Sequence, residues 1–173
     1  MSLGKVFVTR RIRAAGLDLL KEATVEVRVW PGGEDEGPSQ DEVIEGTRWA
    51  NVLLSLLTEP VNRAVMESNP SLLGISQFAV GYDNIDVGVA TELGIPVSNT
   101  PGVLTDTTAD LTWALLLSVS RNIVTGDQYM RGGKYNLWGP NLLLGEDTSL
   151  GGDGRQKVLG VVGFGRIGQS VTR

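Results

Sequence analysis

The chain has 173 residues, 41% hydrophobic and 20% charged, the proportions of an ordinary globular protein with enough apolar mass for a core. A net charge of −5 leaves no basic footprint for nucleic acid, and no stretch reaches the ~18 apolar residues of a membrane span. The absence of both Cys and His removes disulfides, thiolate nucleophiles, imidazole bases and Cys- or His-ligated metals; no metal site is expected. Lys5 is followed by only a short apolar run before Arg10, which is no signal peptide, so a cytoplasmic location is expected.

Residues 5–9 form a short apolar strand, after which Ile12, Ala15, Leu19, Leu20 and Ala23 recur at helical spacing. Val25, Val27 and Val29 alternate with Glu26 and Arg28, as in a half-exposed strand near a sheet edge. A polar loop covers residues 31–38, and Ser39 with Glu42 has the capping-box spacing that starts a short helix toward Glu45. Residues 51–55 are apolar enough for a central strand. Thr58 with Pro60 opens a helix carrying Val61, Ala64 and Val65, which ends before Asn69-Pro70. A fourth strand spans 72–78. Asp86 then caps a helix with Val87, Ala90 and Leu93 on one face, and Gly94 stands where a C′ glycine belongs. Residues 95–98 supply a fifth strand. Strand and helix alternating in this way predict an α/β fold with a parallel, doubly wound sheet.

From Thr105 the texture changes. Thr107 with Asp110 has capping-box spacing, and the helix that follows to Arg121 is apolar nearly all round, predicting burial between layers or between subunits. Residues 126–154 are glycine-rich without a clean period, yet Tyr129, Tyr135, Leu137, Trp138 and Leu142 are too apolar for a simple linker. They read as an arm that buries these groups on a partner. An apolar strand at 158–162 then runs into Gly163, Gly165 and Gly168 at G-x-G-x-x-G spacing. Alone, this spacing suits either an ordinary strand–turn–helix or a pyrophosphate cradle, whose glycines allow a tight turn, close backbone approach and helix–strand packing.

Ligands of open α/β sheets bind beyond the carboxyl ends of the strands, where the loop after Phe78 is the most informative. Gly81 serves either a turn or the approach of a small carboxylate to backbone amides. Asp83 and Asp86 read as local caps rather than an acid–base pair, and Thr105, Thr107 and Thr108 as caps rather than ligands. Trp138, beside Gly139-Pro140, reads as a packed aromatic of the arm.

Three motifs in order, AVGYDNID at 79–86, GIPVSNTPGVLTDTTAD at 94–110 and VVGFGRIGQ at 161–169, resemble the D-isomer-specific 2-hydroxyacid dehydrogenases, and within them the glyoxylate/hydroxypyruvate reductases. The resemblance runs from about Lys5 to Arg173. It implies a flavodoxin-like substrate domain over residues 1–99 and the start of a Rossmann NAD(P)-binding domain over 100–173. By position it implies that Val80 and Gly81 meet a substrate carboxylate through their N–H groups, that Thr108 lies near the nicotinamide, and that Gly163, Phe164, Gly165, Arg166, Ile167 and Gly168 cradle the pyrophosphate of NAD or NADP. Trp138 would reach the substrate site of a partner, in a homodimer formed through the helix and arm at 107–145. The substrate implied is a small 2-keto or 2-hydroxy acid. The family's catalytic Arg, Glu and His are expected downstream of Arg173, so the 173 residues alone are expected to be the inactive first half of a dehydrogenase. A non-catalytic NAD(H)-binding corepressor relative, or a scaffold that only dimerises, stands as the alternative.

Overall fold

Five short strands, β1 (Lys5–Val8), β2 (Glu26–Val29), β3 (Val52–Ser55), β4 (Gly74–Gln77) and β5 (Val97–Ser98), run parallel in the order β2-β1-β3-β4-β5. This is the flavodoxin-like order, which doubles back once across β1. The computed structural model describes residues 4–23, 26–146 and 157–173 and divides into two units, Met1–Pro101 and Gly102–Arg173.

In the first unit the central strands are the apolar ones. Val8 and Leu53 are fully buried, and Leu53 sits in register between Phe7 of β1 and Ile75 of β4. The alternating segment becomes the edge strand β2, paired only with β1; Val25 lies outside the described residues. Four helices cover the sheet: α1 (Ala14–Glu22), α2 (Gln40–Trp49), α3 (Arg63–Glu67) and α4 (Val87–Glu92). The Ser39 capping box forms as the spacing predicts, with the Ser39 N–H donating to the Glu42 carboxylate at 2.8 Å and the Glu42 N–H to the Ser39 hydroxyl at 3.4 Å. The Ser39 N–H, then the Trp30 indole and the Ser39 hydroxyl, hold the Glu42 carboxyl below the usual carboxylate range. The helix runs on past Glu45 to Trp49. The buried Asn69 amide binds its open C-terminal end, donating to the carbonyls of Thr47 at 2.8 Å and Ala50 at 2.5 Å.

α3 differs from expectation. It starts at Arg63 rather than at Thr58, with Asn62 as its cap accepting from the Val65 N–H at 3.3 Å. Val61 is diverted into an isolated bridge with Ile85, donating to the Asn84 carbonyl at 2.8 Å and accepting from the Asp86 N–H at 3.0 Å. A residue bonded on both sides in extended pairing cannot also open a helix. Asp86 caps α4 through Val89 N–H at 3.0 Å, and Gly94 follows with φ +70°, the left-handed position that a glycine accepts without strain.

The second unit contains α5 (Thr105–Ser120), α6 (Ile123–Arg131) and α7 (Arg166–Val171). α5 begins two residues before the predicted Thr107 cap; the Thr107 hydroxyl donates back to the Leu104 carbonyl at 3.2 Å, and no side chain caps the helix. Its apolar surface is not buried within the chain as described: only Ala109 is, whereas Leu111, Leu115 and Val119 are 57%, 59% and 80% exposed. α6 corrects the reading of 126–154 as wholly irregular. Asn122, at φ 53°, breaks the chain direction after α5 and lets a new helix start, which Gly126 had masked in the sequence. The rest of the arm to Glu146 is turn and coil, and residues 147–156 lie outside the described residues. No strand forms at 157–162. Val158 and Val162 are 93% and 105% exposed, and a strand exists only through a ladder to a neighbour, which none of the described residues of this unit provides.

The packing of α2 on β1 depends on Gly46, where an added Cβ would lie 2.2 Å from the ring of the buried Phe7. Gly46→Ala should therefore lower the stability of the chain in urea unfolding by about 1–3 kcal/mol through overpacking, outweighing the ~1 kcal/mol helix-propensity gain of Ala. Equal or higher stability would show that Phe7 moves aside freely.

Candidate functional site

Where β1, β3 and β4 end, the sheet is polar rather than apolar. Thr9, Ser55, Gln77 and Glu59 are 0%, 0%, 1% and 2% exposed. Burying such groups is unfavourable unless each finds partners, and here each does. One Glu59 carboxylate oxygen accepts from the Thr9 hydroxyl at 2.7 Å and the Leu56 N–H at 3.0 Å; the other accepts from the Thr58 hydroxyl. The Ser55 hydroxyl donates to the Gln77 side-chain oxygen at 2.7 Å, and the Gln77 amide donates onward to Asn84 Oδ1 at 2.8 Å and to the Gly81 carbonyl at 3.3 Å. Asn84 closes the set, donating to the carbonyls of Leu56 and Glu59 at 2.9 Å each. The loops after β1, β3 and β4 are thus stitched into one piece.

The loop at 78–85 is the part of this assembly that reaches solvent. The Thr100 N–H donates to the Ala79 carbonyl at 2.9 Å and Asn99 Nδ2 to the Val80 carbonyl at 2.8 Å. Among the described residues neither the Val80 nor the Gly81 N–H has an acceptor. Gly81 does not adopt a positive φ, and a Cβ there would meet only Asp83 Oδ2 and Leu57 Cδ2, both at an ordinary 3.8 Å. Neither turn strain nor packing demands a glycine at this position. Beside the loop, an open cleft of about 280 Å³ is lined by Tyr82, Val87, Val97, Ser98 and Asn99. Asp86 is spent as a helix cap, and Asp83 accepts no hydrogen bond among the described residues.

In the second unit the three glycines of the G-x-G-x-x-G turn have separate geometries. Gly163 has φ +90°. A Cβ on Gly168 would lie 2.4 Å from the Gly163 carbonyl oxygen, so the first turn of α7 rests directly on the backbone of the loop. Gly165 occupies the N-cap position of α7, and a Cβ there would meet nothing within 4 Å. The Gln169 amide braces the loop by donating to the Phe164 carbonyl at 3.1 Å. Phe164 and Ile167 are 62% and 43% exposed, and Arg166 is exposed. α7 is tied to α5 by the Trp113 indole donating to the Val171 carbonyl at 2.9 Å and the Ser170 hydroxyl to Asp106 at 2.9 Å. Thr108 sits half-buried in the first turn of α5, its carbonyl accepting from the Thr112 hydroxyl at 2.8 Å. Trp138 lies in the arm and is 70% exposed.

The sequence assigns no side-chain role to Thr9, Glu59, Gln77 or Asn84 beyond their place in a strand or motif. For Thr9, Ser55 and Gln77 the signal is a polar residue at the end of a largely apolar strand, where the chain leaves the ladder and its backbone groups need other partners; Glu59 and Asn84 lie in loops and carry no such mark. Glu59 accepts three donors and forms no salt bridge among the described residues, Arg10 Nη1 reaching only the Thr58 hydroxyl at 3.5 Å, so the Glu59 oxygens rather than an ion pair hold the loops. Glu59→Gln, which can accept at one end and donate to the Thr58 hydroxyl at the other, should stay within about 1 kcal/mol of wild type, whereas Glu59→Ala should cost about 1–3 kcal/mol by stranding the Leu56 N–H. Chemical denaturation of both variants checks this; equal losses would assign the role to charge.

Comparison with known proteins gives a consistent result. Residues 6–170 match the family model for the D-isomer specific 2-hydroxyacid dehydrogenase catalytic domain. A glyoxylate reductase of Korarchaeum cryptofilum is 46% identical over 170 residues, covering 98% of this chain and 48% of the relative. A crystal structure of a protein from Thermus thermophilus superposes with a TM-score of 0.87 at 40% identity, over 97% of this chain and 51% of that one. The NADPH-dependent glyoxylate/hydroxypyruvate reductase of Sinorhizobium meliloti, solved with NADP and malonate, gives a TM-score of 0.69 at 28% identity over 97% and 48%. The chain spans about half the length of the curated relatives it matches.

Proposed function

The chain belongs to the D-isomer-specific 2-hydroxyacid dehydrogenase family, and from that premise we propose that the whole protein reduces a small 2-keto acid of the glyoxylate or hydroxypyruvate type with NADH or NADPH. The observation that carries the site is Gly81: its missing side chain answers no need of the fold, and its own N–H and that of Val80 have no acceptor among the described residues. A carboxylate received by the Val80 and Gly81 N–H groups makes charge-assisted hydrogen bonds, stronger than neutral ones, and is held at one end so that the keto carbon has a fixed position.

The glycine turn fits a dinucleotide. Gly163 makes the turn, Gly168 lets α7 close on it, and the open space at Gly165 is what a pyrophosphate resting on backbone would require. On this reading residues 163–168 hold the pyrophosphate and Thr108 lies near the nicotinamide. Bound there, NAD(P)H supplies the hydride. Trp138 and the exposed apolar face of α5 and α6 serve a homodimer in which the arm reaches the partner. A keto acid becoming a hydroxy acid also takes up a proton. With no His in the 173 residues, no imidazole among them can deliver it, and the chain alone should not turn over.

Glyoxylate- or hydroxypyruvate-dependent oxidation of NAD(P)H by the whole protein tests the activity, with the 173-residue chain expected to show none; turnover by that chain would overturn the assignment of the proton donor elsewhere. Gly81→Val in the whole protein should raise KM for the keto acid about tenfold or more, the loss of roughly one hydrogen bond to a charged group, with little change in unfolding midpoint. Unchanged kinetics would remove this loop from the substrate site.

A further inference from the structure

Resting on the reading of the 78–85 loop as the carboxylate site, we infer that Asn99 is the positioning residue that aims the Gly81 N–H at the substrate. A trans peptide is planar, with its C=O and N–H pointing in opposite directions, so whatever fixes one carbonyl fixes the amide of the next residue. Three consecutive carbonyls of this loop, those of Ala79, Val80 and Gly81, are each held by a different donor. The Thr100 N–H at 2.9 Å sets the peptide that carries the Val80 N–H. Asn99 Nδ2 at 2.8 Å sets the peptide that carries the Gly81 N–H, and Gln77 Nε2 at 3.3 Å sets the one after it.

The middle peptide is the one that needs a clamp. Rotating a peptide plane between two residues changes ψ of the first and φ of the second, and a glycine as the second accepts positive φ as readily as negative. The Val80–Gly81 peptide therefore has a low-cost flipped state in which the Gly81 N–H turns away and a carbonyl faces an incoming carboxylate. The same absence of Cβ that admits the substrate leaves the peptide free to flip. Asn99 removes that freedom, because its side chain must present the NH₂ group, not the oxygen, to the Val80 carbonyl. Its donation also polarises the peptide and strengthens the Gly81 N–H as a donor. Asn99 is only half-buried and contributes to none of the core, so it can be changed without emptying a packed site.

The test uses the whole protein and three variants, with kinetics and thermal unfolding measured on each. Asn99→Ala should raise KM for glyoxylate about tenfold, the equivalent of ~1.4 kcal/mol, with KM for NAD(P)H and the unfolding midpoint unchanged. Asn99→Asp should be worse near neutral pH, since an ionised oxygen then faces the Val80 carbonyl. Its keto-acid KM should recover as pH falls toward the ~4 of an ordinary Asp carboxyl, where the introduced group regains a proton to donate. Wild type should lack that recovery, and a merely structural role would not produce it. Gly81→Val is the reference. If Gly81→Val raises the keto-acid KM and Asn99→Ala does not, the positioning role is overturned and the carboxylate site stands. If neither variant changes it, both fall. A rise in both KM values together with a lower unfolding midpoint in Asn99→Ala would also overturn the positioning role.

Discussion

The first unit depends on what happens where three parallel strands stop. A parallel strand can hand its backbone groups to neighbours only while the ladder lasts; at its carboxyl end the chain turns out of the sheet into a loop with no such partners. Here a buried carboxylate and two amide side chains replace them. Glu59 gathers donors from the ends of β1 and β3, and Gln77 passes bonds from β3 through β4 into the 78–85 loop. Asn84 returns them to the loop after β3. A fully satisfied network of this kind is rigid because loosening any member strands another group without water, which is costly in a low-dielectric interior. Rigidity at the sheet's carboxyl end is what a ligand loop needs, since a loop free to wander would lose its entropy at binding instead of at folding.

The glycines divide along the same physical line. Gly94 and Gly163 are required by backbone conformation, with φ of +70° and +90°. Gly46 and Gly168 are required by contact, because a Cβ would overlap the Phe7 ring or the Gly163 carbonyl. Gly81 and Gly165 meet neither condition. At Gly81, in the loop after β4, and Gly165, at the start of α7, the missing side chain leaves the backbone open instead of serving a turn or a contact.

Much of this was legible in residue order. Alternation in Val27 and Val29 marks an edge strand because one face of an edge meets water, and the apolar run around Leu53 marks a central one; the runs around Val6 and Ile75 mark strands without saying where in the sheet they lie. Ser39 and Asp86 announced helix starts because a cap is a local event, decided within four residues. Local reasoning failed where distant partners intervened. Thr58-Glu59-Pro60 has the composition of a helix start, but Glu59 is taken by Thr9 fifty residues earlier and Val61 by the bridge to Ile85, so the helix waits for Asn62. α6 was hidden by Gly126, a weak helix former whose cost the rest of the helix absorbs. The polar network leaves only a weak local trace, since Thr9 and Gln77 at strand ends, and Glu59 and Asn84 in loops, also read as ordinary surface.

The strand expected at 158–162 separates two properties that sequence patterns combine. The Val-rich run records that these residues are suited to burial on both faces, but a strand is a relation between chains of backbone, not a property of one. Without a neighbour in the described residues the run stays exposed and unpaired, while the turn that follows it is fully formed. That turn needs no sheet: Gly163, the Gly168 contact and the Gln169 brace are all internal to six or seven residues. Its attachment to α5 uses one indole N–H and one hydroxyl. The glycine turn is therefore a local structure that carries its own geometry and forms with no strand paired beside it among the described residues.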